Sequence, residues 1–470
     1  MSSAGISFGG LASGLDTKSI ISALVSIERR PISQLETKKS SLNKQKSLYS
    51  DLRGLLDKLR TSAKDLKATT DFLSMKAASD DEDVLKATAS NSAEPGTYKV
   101  RVLQLAQAQV NASTGSASPT ANLGGPASLI LDVGGNQQLI AVNDPSLDSI
   151  AAAINQADED LDTGVRAEVV DTGNPANGGA QRYQLVVRST KPGSDGAFTL
   201  SVDDGEPSFQ ALINQVAGNT ISQAQNAQLL VNGTPAGTGG ITVYRSSNTI
   251  ADLFPGITLD LQSVPSPNKD VTVTVTTDAE ATSKKVQSFV DAYNKVVDFF
   301  VEQNVLDAEG KAKGPLFGDS TLRSMRSTLR GIVGASVGDT GNEAYQLLAQ
   351  IGVTADTAGK LTFTKTKFEE ALAADEDAVS ALFTNTTSGL ANRLIGQLES
   401  YTDTVDGLIK NRSDAFDRQV KDTQSRIDQA ERRVTLYQQQ LETRYANLES
   451  LLTRLQGQGT SLSSLNNLNR

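Results

Sequence analysis

Near the C-terminus, apolar residues recur at every seventh position: Val420, Ile427, Val434, Leu441, Leu448 and Leu455. Phe416, Ala430, Tyr437 and Leu451 fill companion positions three residues after a rung, while Thr423 and Arg444 interrupt them. No Pro or Gly falls between Gly407 and Gly457. A seven-residue repeat sustained this long keeps one seam turned toward a partner helix, which is the condition for a coiled coil. A long amphipathic helix lying on its own globular core is the alternative, but so long a pattern without caps favours the coil. Residues 410–456 are expected to form one coiled-coil helix, with a flexible tail at 457–470.

A seam needs a second helix, and the candidate lies at the other end of the chain. There the rungs are Leu35, Leu42, Tyr49, Leu56 and Ala63, with Leu52, Leu59 and Leu66 alongside. Asp16 suits an N-cap, since its carboxylate accepts the unpaired amides of a first turn. Pro31 lacks an N–H and clashes with the preceding turn. The expectation is a short helix over Thr17–Arg30, a break or kink, and a long helix from Ile32.

Composition excludes several chemistries. The chain has no Cys and no His, which removes disulfides, thiol chemistry, the usual general base and the commonest metal ligands. Aromatics are only 5% and Trp is absent, which is lean for an enzyme of 470 residues; three or more domains are expected at that length. No run approaches a membrane-spanning length, and no basic segment followed by an apolar one marks an ordinary signal peptide. Alone, these facts suggest a soluble cytoplasmic protein with no membrane partner. Residues 17–70 carry 12 Lys/Arg against 5 Asp/Glu, whereas residues 71–409 carry a net −19 of the formal total of −10. The basic residues of the first helix are scattered around it without interleaved aromatics. That is the pattern of coiled-coil flanks, so no nucleic-acid partner is expected.

Between the helical ends the apolar period changes to two. Strand-like runs are Thr97–Leu103, Leu129–Val133, Val165–Val170, Tyr183–Val187, Ala197–Val202, Gln228–Val231, Ile241–Tyr244, Ile257–Leu261 and Val271–Thr276, separated by turn sequences. One helix, Leu147–Ala157, interrupts them. Helical periodicity returns after Asp278, with helices expected at 286–300, Asp319–Val333, Lys367–Ala373, Asp377–Phe383 and Gly389–Val405, and a small hairpin at 359–363. The fold class is α+β and multidomain. The expected parts are a flexible segment 1–16, coil and leg helices 17–80, leg strands 81–103, a β-rich head module 104–215, a second one 216–277, and a helical leg domain 278–409.

Catalytic constellations are missing. Gly359-Lys360 lacks the upstream Gly of a phosphate loop, and no Gly-x-Ser-x-Gly elbow occurs. Asp158, Asp160 and Asp162 have the spacing of a calcium loop, but the turn Gly falls at 164 and position twelve is Val169, so a solvated loop is expected. Asp203-Asp204 could supply an acid–base pair. They stand in turn-like sequence beside Gly205 and Pro207, and acidic turns need no function. No catalytic residue, cofactor or metal is assigned.

Other stretches carry a family likeness. Gly10-Leu11-Ala12-Ser13-Gly14-Leu15-Asp16, followed by Ile20, Ile21, Leu24, Glu28 and Pro31, resembles the N-terminus of the flagellar hook-associated protein 2 family, the filament-capping proteins. Leu147-Asp148-Ser149-Ile150 through Asn155, leading to Gly164-Val165-Arg166-Ala167, resembles that family's hook insertion motif. Ala227–Gly233, Arg245–Ile250 and Gly256–Leu259 resemble its second head module. Phe289–Asn294, Gly318-Asp319, Ile351-Gly352-Val353 and Gly359-Lys360-Leu361 resemble its C-terminal segment. Phe363-Thr364-Lys365 departs from the pattern, where the family more often has an acidic residue.

The resemblance implies a structural, non-enzymatic protein, exported through the flagellar channel to the extracellular filament tip. It implies self-association into a ring of about five or six copies, with helical legs toward the filament and β heads above it. The implied partners are flagellin, the hook-filament junction protein, and an export chaperone before secretion. An alternative is an extracellular adhesin or glycan-binding protein that uses the β heads, with host mucin or glycans as ligand. A polar head without Trp argues against sugar stacking, because apolar sugar faces usually meet aromatic rings.

Overall fold

The computed structural model describes residues 16–175, 181–232, 239–267, 269–338 and 345–468, with side-chain surroundings to residue 462. The first segment expected to be flexible, 1–16, therefore lies outside the described residues except for Asp16. The chain divides into two compact units, one of Met1–Phe72 with Thr282–Arg470 and the other of Leu73–Ala281.

Helix α1 (Thr17–Lys64) opens the first unit, and the Asp16 carboxylate accepts the N–H of Ser19 at 3.0 Å as its cap. Of the break or kink expected at Pro31, the break does not occur; α1 runs through it. Proline deletes the hydrogen bond to the Ile27 carbonyl, but Ile27 and Pro31 are both exposed, so water can take that carbonyl. On the other face Val25 and Ile32, on either side of Pro31, are buried in one cluster. The short α2 (Thr69–Phe72) closes this part by burying Phe72, which stacks on Phe383 at 4.9 Å.

The second unit begins with β1 (Met75–Ser79), β2 (Leu85–Ala89) and β3 (Gly96–Gln104). It continues through β4 (Val110–Ala112), β5 (Ala127–Val133), β6 (Asn136–Val142), α3 (Leu147–Leu161), β7 (Val165–Asp171), β8 (Tyr183–Ser189), β9 (Phe198–Asp204), α4 (Pro207–Gly218) and β10 (Thr220–Ser222). It ends with β11 (Ala227–Val231), β12 (Ile241–Arg245), β13 (Thr249–Phe254), β14 (Ile257–Leu261) and β15 (Val271–Thr277). Two sheets, ordered β1-β15-β3-β11-β12 and β13-β14-β2, bury one core built on Val100, Val102, Leu229, Leu259 and Val273. Two others, β10-β4-β8-β7 and β6-β5-β9, close with α3 and α4 around a separate core of Leu129, Ile150, Val187, Phe209 and Ile213.

These pairings redraw the module boundaries read from the sequence. Strands β2 and β3, expected in the leg over 81–103, join β11, β14 and β15 in the first core. The interposed module starts and ends at Gln107 and Gln225, whose backbones exchange both hydrogen bonds, at 2.9 and 3.2 Å. It therefore includes α4 and β10, which the expected boundary at 215/216 cuts through. Pro207, read as part of a turn, is the first residue of α4, where a missing N–H costs nothing. Chain order conceals these relations because β3 pairs with strands more than a hundred residues away.

The chain returns to the first unit with α5 (Ala279–Gln303), whose stripe of Val286, Phe289, Val290, Tyr293, Val296, Val297 and Phe300 is buried. There follow α6 (Ser320–Gly334), the hairpin β16 (Val353–Ala355) and β17 (Leu361–Phe363), α7 (Lys365–Ala374), α8 (Glu376–Thr384) and α9 (Leu390–Thr402). The last element, α10, covers Leu408–Leu468 without interruption. The tail expected to be flexible from 457 is thus helical to Leu468. Gly457 and Gly459 each disfavour helix by about 1 kcal/mol, but extending an existing helix needs no new nucleus.

Candidate assembly interface

The two ladders pair with each other. Val25 and Ile32 of α1 share a buried cluster with Ile427 and Val434 of α10, with Ile21, Leu35 and Ala430 packed against it. The helices run antiparallel: Lys39 reaches Gln424 and Lys46 reaches Asp417 at 2.5 Å, so seven residues forward in α1 is seven back in α10. Of the predicted seam, Leu42, Tyr49, Leu56, Ile427, Val434 and Leu441 are buried, and Leu35 and Val420 are half-buried. Thr423, an interruption of the ladder, is also buried, and its hydroxyl donates to the Gln419 carbonyl at 2.8 Å.

Leu448 and Leu455 do not join this seam; they are 44% and 53% exposed. The register puts Thr17, the first residue of α1, level with about Ala446, so α10 outruns its partner among the described residues. Leu451 and Leu462 continue the exposed apolar line. A heptad ladder marks a face that needs covering, but it does not say whether the same chain covers it.

At the other end of the pair, three elements meet. Tyr49 of α1 is fully buried and packs on Phe416 of α10 at 5.8 Å between ring centres. The Arg412 guanidinium lies over the Phe416 ring at 5.3 Å and donates to Asp319 at 2.9 Å. Asp319 in turn caps α6, accepting from Thr321 and Leu322 at 2.8 and 3.3 Å. Burial, followed by the charge of Asp319, pushes the Tyr49 hydroxyl up to about 12. Burial alone would raise the Asp319 carboxyl, but Arg412, Tyr49 and the Leu322 amide together hold it below the usual carboxylate range. The sequence showed Asp319 as a helix start and Phe416 as a companion rung; nothing in it signalled that Arg412 would join them.

Three motif asparagines act as backbone substitutes. Asn155 of α3 accepts from the Ala167 amide at 2.9 Å and donates to its carbonyl at 2.8 Å. Asn248 does the same to Ala106, at 2.7 and 3.0 Å, and Asn294 to Leu361, at 2.7 and 2.8 Å. An amide side chain offers one acceptor and donors in a plane, so it can satisfy both polar groups of one residue as a neighbouring strand would. Each of these asparagines stands in a stretch quoted above for its family likeness, and two of them close onto another such stretch.

The acidic candidates have structural tasks. Asp158, expected in a solvated loop, takes Gly164 N at 2.7 Å, the Thr163 hydroxyl at 3.3 Å and Arg166 Nε at 2.9 Å, closing the turn after α3. Asp203 accepts from Ser128 at 2.8 Å and Asp204 from the Gly205 amide at 2.8 Å. Among the described residues, no group of three or more His, Cys, Asp or Glu could hold a metal ion, and no helix is long and apolar enough to cross a membrane.

Comparison with known proteins places these features in a family. Residues 13–109 match the family model described as flagellar hook-associated protein 2 N-terminus, and residues 224–457 match its C-terminus counterpart. The flagellar hook-associated protein 2 of Escherichia coli K12 is 30% identical over 481 aligned residues, covering 98% of each chain. The chain belongs to the flagellar hook-associated protein 2 family. The B-type flagellar hook-associated protein 2 of Pseudomonas aeruginosa is 28% identical, over 95% of this chain and 94% of that one. A crystal structure of the flagellar cap protein FliD domains D1-D2-D3 from Escherichia coli aligns with a TM-score of 0.62 at 30% identity. That alignment covers 79% of this chain and 99% of the other. Of the motifs that resemble the flagellar hook-associated protein 2 family, residues 10–15 lie outside the described residues, and Asp16 is the cap of α1.

Proposed function

We propose that this chain is the structural cap at the distal tip of a bacterial flagellar filament. There it promotes folding and insertion of exported flagellin subunits and prevents their loss. The observation that carries this reading is the match to the Escherichia coli flagellar cap protein across nearly all of that structure. The chain's own geometry supports it. Antiparallel terminal helices whose far end is apolar and, among the described residues, without a partner helix suit a protein that inserts among other helical subunits, and the chemistry described above is structural throughout. In this reading the protein acts as a ring of about five or six copies, extracellular at the filament tip. It contacts flagellin and the hook-filament junction protein, and an export chaperone holds it before secretion. Binding of the β modules to host mucin or glycans would be a secondary property.

The test is complementation of a strain lacking its own cap gene. Full-length protein should restore filaments visible by electron microscopy and stop the release of unpolymerised flagellin. Filaments of normal length in the deletion strain, or continued flagellin loss despite secreted, folded protein, would refute the capping role.

A further inference from the structure

We propose that the contact of Tyr49, Arg412 and Asp319 is a releasable joint, holding the two-helix coil against the helical body of its own unit. The placement is the first argument. On the N-terminal side of Tyr49, the long-range polar contacts of α1 among the described residues go mainly to α10, through Lys39 and Lys46, while Gln45 reaches the loop before α6, at the Pro315 carbonyl, 2.8 Å away. On its C-terminal side, α1 enters the body, where Arg60 donates to Thr402 of α9 at 3.0 Å. Tyr49 therefore stands at the level where a pair of helices becomes a packed domain.

The second argument is the incomplete bonding at this level. The Tyr49 hydroxyl and Arg412 Nε are both buried and without a hydrogen-bond partner. Asp319, Thr321 and Arg412 all lie close enough to the Tyr49 hydroxyl to shift it, and Tyr49 in turn lowers Asp319, yet none of them meets full hydrogen-bond geometry with that hydroxyl. Native interiors rarely leave such groups unpaired, and two at one contact require a reason. A small opening would admit water to both. Besides the unbroken α1 and α10 themselves, the closed joint is held by one ion pair, ring packing and the Gln45 contact, and opposed by two unsatisfied polar atoms. That balance describes an element with two accessible arrangements. The joint stands independently of the capping reading; its use, letting the coil follow the subunits beneath a cap, rests on that reading.

The measurement is an intramolecular distance in the full-length protein. With no native cysteine, Ser33→Cys on the coil and Ser288→Cys on α5 accept spin labels at two defined positions. Labelled protein diluted into unlabelled protein reports distances within one chain. The parent should give one dominant distance. Asp319→Asn keeps a capping side chain but removes the ion pair, and should add or enlarge a second, broader distance population while helical circular dichroism is retained. Arg412→Gln should do the same, and Tyr49→Phe, which removes an unpaired hydroxyl, should sharpen the dominant distance. An unchanged distribution in both Asp319→Asn and Arg412→Gln would overturn the joint. Loss of helical signal in both would also overturn it, by showing that these groups hold up the body itself. Because the readout needs no filament, failure here is distinguishable from failure of the capping role.

Discussion

Ile427→Ala and Leu455→Ala should separate a covered rung from an uncovered one, although both belong to the same ladder. Ile427 is 5% exposed and packs with Val25, Ile32 and Val434, whereas Leu455 is 53% exposed beyond the start of α1. Truncating isoleucine to alanine removes three carbon groups from the seam, each worth about 0.8 kcal/mol when buried. A two-helix seam can admit water or collapse, so the cavity contribution is small and the expected loss is about 2 kcal/mol. Leu455→Ala removes atoms that are already about half in water and exchanges one good helix former for another, so it should cost less than about 0.5 kcal/mol. The readout is amide hydrogen exchange across residues 20–40 and 420–440, which follows local opening of the coil without requiring the whole chain to unfold. A loss of 2 kcal/mol corresponds to exchange roughly 30-fold faster, since about 1.4 kcal/mol is tenfold. Leu455→Ala should leave those amides within a factor of about two. Equal acceleration by the two substitutions would refute the pairing register, and no acceleration by Ile427→Ala would refute the seam itself.

Asn294→Ala should strip both hydrogen bonds from Leu361, a buried residue, and destabilise the helical unit by about 2–4 kcal/mol in denaturant unfolding. Glu442→Lys, on the exposed face beside Leu441, should change coil stability by less than about 0.5 kcal/mol in the same exchange experiment. The joint should show two pH limits, set by Tyr49, Asp319 and Arg412, with Thr321 as the remaining polar neighbour. Asp319 has a depressed folded pKa, so its contribution is complete above about 4 and is lost as pH falls through the lower folded value. Tyr49 has a raised one, so its contribution is complete below about 10 and is lost as pH rises toward about 12. A titration of the Ser33–Ser288 label distance should therefore be flat from about pH 5 to 9 and broaden outside it. Leu448→Ser with Leu455→Ser should leave the isolated protein folded by circular dichroism yet reduce filament restoration in the complementation assay; full restoration would show that the projecting apolar line is not used in assembly.

Local patterns in the sequence were sufficient for elements whose evidence lies within one turn or one strand. The nine expected strands all occur, because alternating β-branched runs bounded by Gly, Pro and Asn can satisfy their pattern in only one way. Asp16 and Asp319 cap α1 and α6 as their side chains dictate. The heptads placed the coil helices and most of their seam, since a period of seven keeps one stripe on one side however long the helix becomes. Only tertiary structure decided the rest. Pro31 continues a helix because its lost bond faces water while Val25 and Ile32 pack on the other side. Strands β2 and β3 leave the leg because their partners, β11, β14 and β15, come from far along the chain. Leu448 and Leu455 remain exposed because burial depends on where the partner helix begins, which no rung of their own ladder can specify. Asp319 and Arg412 meet because α6 starts where α10 passes Tyr49; side-chain type announces that each needs a partner, and only the packed chain supplies which one.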